Sequence, residues 1–124
     1  MQIKIVLTAL ALSFGLISAC SQQSAPYQNI NTAEFKEKMN QPDVVILDVR
    51  TPQETAQGKI QGAIEMDFNS PAFESKVQAL DKNKTYLVYC AVGGRSASAC
   101  NTMAAKGFKQ LYNLKGGYNA WKSQ

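Results

Sequence analysis

The chain has 124 residues, 13 Lys and Arg against 9 Asp and Glu, a net charge of +4 and no histidine. That length suits one domain. The lysines are scattered and "EFKEK" mixes signs, so there is no basic stripe, and a nucleic-acid partner is excluded. With no histidine and no cysteines at ligand spacing, neither a metal site nor a cofactor is expected.

The first twenty residues, "MQIKIVLTALALSFGLISAC", place Lys4 before an apolar run from Ile5 to about Leu16, and then Ile17, Ser18 and Ala19. This is the layout of a secretory signal peptide, and the run is short for a membrane span. The "ISAC" ending resembles the lipobox of bacterial lipoproteins. That resemblance implies removal of residues 1–19 and a lipid on Cys20. Residues 20–26 then form a tether, and residues 27–124 the folded domain. It places the protein in the bacterial cell envelope as a periplasm-facing lipoprotein. Ser21 is not the acidic residue that would argue for retention at the inner membrane. The polar stretch "SQQSAPYQN" suits a tether.

Beyond it, "TAEFKEKMNQ" reads as a helix, with Asn31 as N-cap and Glu34 three residues on. "PDVVILDV" is a continuous apolar run, the pattern of a strand buried on both faces. "TPQETAQG" reads as a short helix with Pro52 in its first turn and Gly58 at its end. "KIQGAIEM" is a short strand region broken by Gly62. "NSPAFESKVQALDKN" reads as a helix with Ser70 as N-cap and Pro71 at its first position, burying Phe73, Val77 and Leu80. "KTYLVYC" is a second buried strand. "RSASACNTMAAKGF" is a small-residue helix beginning near Arg95 and stopped by Gly107. "KQLYNL" is a short strand, and "KGGYNAWKSQ" a glycine turn into a last helix. Apolar strands alternating with helices imply an α/β fold with a mostly parallel sheet.

Cys90 falls at the carboxyl end of a strand, where parallel sheets place their ligand sites. It opens "CAVGGRS", a glycine loop closed by Arg95 onto a helix. The thiolate is the reactive form of cysteine, and a helix N-terminus lowers its pKa. Gly93 and Gly94 let the backbone adopt positive φ and turn its N–H groups inward. Arg95 adds a permanent cation. The loop is therefore a place to ionise Cys90 and to receive an anionic group. Sulfane-sulfur transfer and phosphate hydrolysis both fit that description. The loop is Cys-x₄-Arg, six residues counting both ends. Cysteine phosphatases of the related fold carry Cys-x₅-Arg, a wider cradle for phosphate oxygens.

The domain resembles a single-domain rhodanese over nearly all of residues 27–122. "LDVRTPQE", "GKIQGAI", "CAVGGRS" and "LKGGYNAW" are similar to four signatures of that family, in its order. The resemblance implies a rhodanese-like sheet of about five strands. It also implies a sulfurtransferase in which Cys90 takes a sulfur from a donor such as thiosulfate, becomes a persulfide, and passes the sulfur to a thiol or cyanide acceptor. The amides of Ala91, Val92, Gly93, Gly94, Arg95 and Ser96 would stabilise the outer sulfur, with Arg95 also binding an anionic donor. The alternative is a lipid-anchored sulfur carrier or binding module without turnover. Lys59 and Gln61 replace the family's usual histidine and proline, and the uncharged Ala91 and Val92 make thiosulfate a poor donor.

Ser96 is expected to cap its helix rather than react. Cys100 is expected in the core, on a face with Ala97 and Ala104. Asp48 and Arg50 are expected to fix neighbouring loops, with Glu54 pairing with Arg50. Tyr118 and Trp121 are expected to pack the last helix on the sheet, and Phe68 and Phe73 to lie in the core.

Overall fold

A computed structural model describes Gly15 and residues 25–124. Gly15 apart, the expected signal segment lies outside the described residues, as does Cys20. The chain runs β1 (Gln28–Ile30), α1 (Thr32–Met39), β2 (Val44–Asp48), α2 (Pro52–Thr55), β3 (Ile64–Glu65), α3 (Phe73–Gln78), β4 (Thr85–Tyr89), α4 (Gly94–Ala105), β5 (Gln110–Leu114) and α5 (Gly117–Lys122). The strands form one five-stranded sheet in the order β1-β5-β4-β2-β3, every pairing parallel. This is the α/β architecture that the alternating pattern implies.

The sheet has a packed layer on each face, and the two-residue period of β4 distributes its side chains between them. Tyr86, Val88 and then Cys90 join the layer beneath α3 and α4, with Phe73, Val77, Ala99, Cys100 and Met103. Leu87 and Tyr89 point to the opposite layer with Phe35 of α1 and Leu114 of β5. Tyr118 and Trp121 of α5 pack against that layer, as expected. Trp121 meets Phe35 edge-on at 5.8 Å between ring centroids.

Several local readings change. "QNI", whose Gln28 and Asn29 close the polar stretch before the first predicted helix, is a strand, β1; it pairs with β5, each residue with the one 84 positions on, from Gln28 with Tyr112 to Ile30 with Leu114. In "KIQGAIEM" only Ile64 and Glu65 are strand. Ser70 does not cap α3, which starts at Phe73; its hydroxyl accepts the Ala72 N–H within a preceding turn. Asn31 does cap α1, accepting the Glu34 N–H at 2.9 Å. The two-way capping box is instead at Thr51 and Glu54, at the start of α2. The buried face of α4 is Ser96, Ala99, Cys100 and Met103. Cys100 lies in the core as expected; Ala97 and Ala104, three and four positions from it, flank that face half-buried, Ala104 packing against the same cluster.

Candidate active site

Cys90 is the first residue beyond β4 and has no exposed surface. The chain turns at Gly93, whose φ of +107° is open to glycine at little cost. That turn brings the Gly93 N–H to 3.1 Å from Cys90 Sγ. The Ser96 hydroxyl donates to the same sulfur at 3.3 Å. Ser96 is thus not a helix cap. Gly93 occupies the cap position of α4 with no side-chain bond, and the first turn of the helix points Ser96 back at the thiol. Burial pushes the Cys90 thiol up. Hydrogen bonds from the Ser96 side chain and from the amides of Ser96, Gly93 and Val92 outweigh it and hold the thiol below its ordinary 9.0. Cys100 has no such donors, and burial raises its thiol to about 12. Both cysteines are free thiols.

Arg95 does not reach into the loop as an unpaired cation. Its Nη1 and Nη2 donate to the two carboxylate oxygens of Glu54 at 2.7 and 2.9 Å. Glu54 therefore pairs with Arg95 and not with Arg50, whose guanidinium is already engaged by Asp48 and the Gly58 carbonyl. Thr51 donates its N–H and hydroxyl to the same carboxylate. The Arg95 hydrogen bonds lead the effects that take Glu54 down to about 2, with burial opposing them. A fork-to-fork pair of this kind fixes geometry as well as charge.

Arg50 belongs to a buried network beneath the site. Its guanidinium donates to Asp48 at 2.7 Å and to the Gly58 carbonyl at 2.8 Å. The Tyr89 hydroxyl donates to Asp48 and accepts the Ile60 N–H. Tyr118 covers the guanidinium at 4.2 Å from its ring centroid. Asp48 and Arg50 thus fix neighbouring loops, as expected from sequence.

Sequence reasoning missed two supports of the loop. The first is the start of α5. The Tyr118 and Asn119 N–H groups donate to the carbonyls of Cys90 and Ala91 at 2.7 and 3.0 Å. A Cβ on Gly117, at φ +59°, would lie 2.5 Å from those same backbone atoms. The double glycine of "LKGGYNAW" is the visible mark of that close approach. The second is Asn113 on β5, whose Nδ2 donates to the Gly93 carbonyl at 3.2 Å and to Asn29 on β1 at 2.9 Å. Nothing local in the sequence marks it.

Two clefts flank the loop. One, of about 400 Å³, is bounded by Val92 and Gly93 together with Tyr27, Asn29, Asn113 and Lys115. The other, of about 230 Å³, lies between Ala91, Tyr118, Lys122 and the Arg50 side. Val92 at the loop tip is 67 % exposed, whereas Phe73 is core and Phe68 packs against it at 5.1 Å. The loop therefore holds a thiol with lowered pKa at the base of an amide ring, behind an uncharged rim.

A rhodanese-like domain family profile matches residues 31–124. The chain belongs to the rhodanese-like domain family. It is 34 % identical over 98 residues to a putative sulfurtransferase, YtwF, of Bacillus subtilis, covering 78 % of this chain and 92 % of that one. A thiosulfate sulfurtransferase, GlpE, of Coxiella burnetii is 32 % identical over 97 residues, covering 78 % and 89 %. A rhodanese-like domain protein from Staphylococcus aureus superposes with a TM-score of 0.68 at 35 % identity, covering 76 % and 90 %. A protein of unknown function from Rhodopseudomonas palustris, described as a possible tyrosine phosphatase, superposes with a TM-score of 0.64 at 31 % identity, covering 78 % and 80 %. Rhodanese architecture by itself thus leaves the chemistry to the loop.

Proposed function

We propose that this rhodanese domain is a sulfurtransferase with Cys90 as its nucleophile. The observation that carries the reading is the convergence of the Gly93 N–H and the Ser96 hydroxyl on Cys90 Sγ within a six-residue loop. The thiolate attacks the outer sulfur of a donor such as thiosulfate. The sulfur–sulfur bond of the donor breaks, sulfite leaves with its electron pair, and Cys90 keeps the sulfur as a persulfide. An acceptor thiolate or cyanide then attacks that outer sulfur and returns the Cys90 thiolate, a two-step covalent cycle. The loop amides face the position where the outer sulfur develops negative charge. Arg95, tied to Glu54, acts chiefly by holding the loop. The loop itself presents only the uncharged Ala91 and Val92 at its tip, and thiosulfate is accordingly a weak donor.

The test is to incubate the domain with thiosulfate and weigh it. A gain of one sulfur, absent in Cys90→Ser and reversed by cyanide, is the expected result. Mass gain without catalytic turnover on any acceptor would favour the carrier module. Hydrolysis of aryl phosphate at a rate matching sulfur transfer would refute the reading. We also propose, from the "ISAC" ending and the polar tether, that residues 1–19 are removed and that Cys20 carries lipid on the periplasmic side of the envelope. Stable anchoring needs more than one acyl chain. Fractionation of bacteria expressing the full chain tests this, and soluble, unlipidated protein would refute it.

A further inference from the structure

Asn113 does more than brace the loop. Its side chain is buried, and both hydrogens of its amide are used, one on the Gly93 carbonyl at 3.2 Å and the other on Asn29 Oδ1 at 2.9 Å. Its own Oδ1 is buried with no partner. A buried acceptor without a donor costs free energy, so Asn113 carries a penalty where it sits. Its two partners do not depend on it to be satisfied. The Gly93 carbonyl also accepts the Ala97 N–H at 3.2 Å, and Asn29 is exposed to water. Leucine has nearly the same shape as asparagine and would leave no unpaired oxygen. A residue that lowers stability while its partners have alternatives marks a functional constraint.

What Asn113 controls is Gly93. The N–H and the carbonyl of Gly93 flank one Cα, held at φ +107° and ψ −7°. Glycine is the residue least restricted in these angles, so the turn needs a hold from outside. Fixing the carbonyl fixes the direction of the N–H, which donates to Cys90 Sγ at 3.1 Å. We propose that Asn113 is a positioning residue for Cys90, locking the Gly93 turn so that the Gly93 N–H meets the sulfur, and that Asn29 selects the amide orientation that does so. The reverse orientation would set Oδ1 against both the Gly93 carbonyl and Asn29 Oδ1, and would bury the NH₂ group where Oδ1 now has no partner. Through one side chain, β1 is thus linked to the thiol. The functional meaning of this link rests on Cys90 being the nucleophile of the proposed sulfurtransferase.

The experiment measures the midpoint of iodoacetamide alkylation of Cys90 against pH in Asn113→Leu and Asn29→Ala. Tm by scanning calorimetry and single-turnover sulfur loading from thiosulfate are read alongside. Each hydrogen bond donated to a thiolate stabilises it, so losing one moves the midpoint up. Arg95, held by Glu54, and Cys100 are the ionisable groups that bear on Cys90, and both variants leave all three in place. Asn113→Leu should raise the midpoint by about one pH unit, the scale of one hydrogen bond to a charged group. It should slow sulfur loading while Tm stays within about 4 °C of the unmodified protein or rises. Asn29→Ala should move the midpoint in the same direction by less. An unchanged midpoint in Asn113→Leu would overturn the proposal. So would a larger loss of Tm, or failure of that variant to fold, since Asn113 would then be a structural residue. An unchanged midpoint in Asn29→Ala would remove Asn29 from the link. Shifted midpoints in a protein that never takes up sulfur would end the sulfurtransferase reading and leave the hold of Asn113 on the thiol standing.

Discussion

Gly117→Ala tests the architecture of the loop without touching the thiol. The new Cβ would lie 2.5 Å from the Cys90 carbonyl oxygen and from the Ala91 carbonyl carbon and oxygen, where ordinary contact starts at 3.4 Å. The backbone is fixed from both sides, by the Tyr118 and Asn119 N–H groups on one and by β4 on the other. About 0.9 Å of relief must therefore come from the loop. A left-handed non-glycine residue costs about 1–2 kcal/mol, and forced overpacking adds about 1–3 kcal/mol. At ~4–8 °C per kcal/mol for a domain of this size, Tm should fall by at least ~8 °C. A shift of ~1 Å in the amides that face the sulfur should cost ~10²-fold in persulfide formation. Gly62→Ala is the control. Gly62 has φ +85° but nothing within 4 Å of its virtual Cβ, so that variant meets the strain alone. It should lose about 1–2 kcal/mol and keep its activity. Differential scanning calorimetry and single-turnover sulfur loading read both quantities. Equal Tm losses in the two variants, or Gly117→Ala activity within threefold of the unmodified protein, would refute the reasoning.

Three further outcomes follow from the same geometry. Cys90→Ser should abolish sulfur loading, whereas Cys100→Ala should load normally and lose about 1 kcal/mol from its small core cavity in thermal melts. Ser96→Ala removes a donor to the thiolate, so the midpoint of iodoacetamide alkylation of Cys90 against pH should move up towards 9; an unchanged midpoint would deny Ser96 its role. Glu54 has its folded pKa depressed from 4.5 to about 2, so its contribution to stability is present above pH 4.5 and is lost as pH falls towards 2. Glu54→Gln should accordingly be less stable than the unmodified protein at pH 6, the gap closing between about pH 4.5 and 2 in denaturant titrations.

The elements that the sequence settles alone are those with a strong local period or a local partner. β2 and β4 are continuous apolar runs because both faces of a parallel strand are covered, and "VVILD" and "TYLVY" need no context to be read. Asn31 and Pro52 mark helix starts because caps and first turns act within a few residues. Cys90 at a strand end, followed by a glycine loop and a helix, places the reactive group by chain order alone. What tertiary structure decided lies across the sheet. β1 is three residues long and exists only because β5, its neighbour in space, supplies hydrogen bonds from the far end of the chain. Arg95 and Glu54 are 41 residues apart, so only the packing of α2 beside α4 could choose that pair over the nearer Arg50. The turn of Ser96 towards the sulfur depends on α4 starting at Gly94, one residue earlier than the charge pattern implies. Gly117 and Asn113 act on the loop through bonds formed only once α5 and β5 have docked. Local sequence fixes where a backbone turns; which side chain meets which is set by the packing of distant segments.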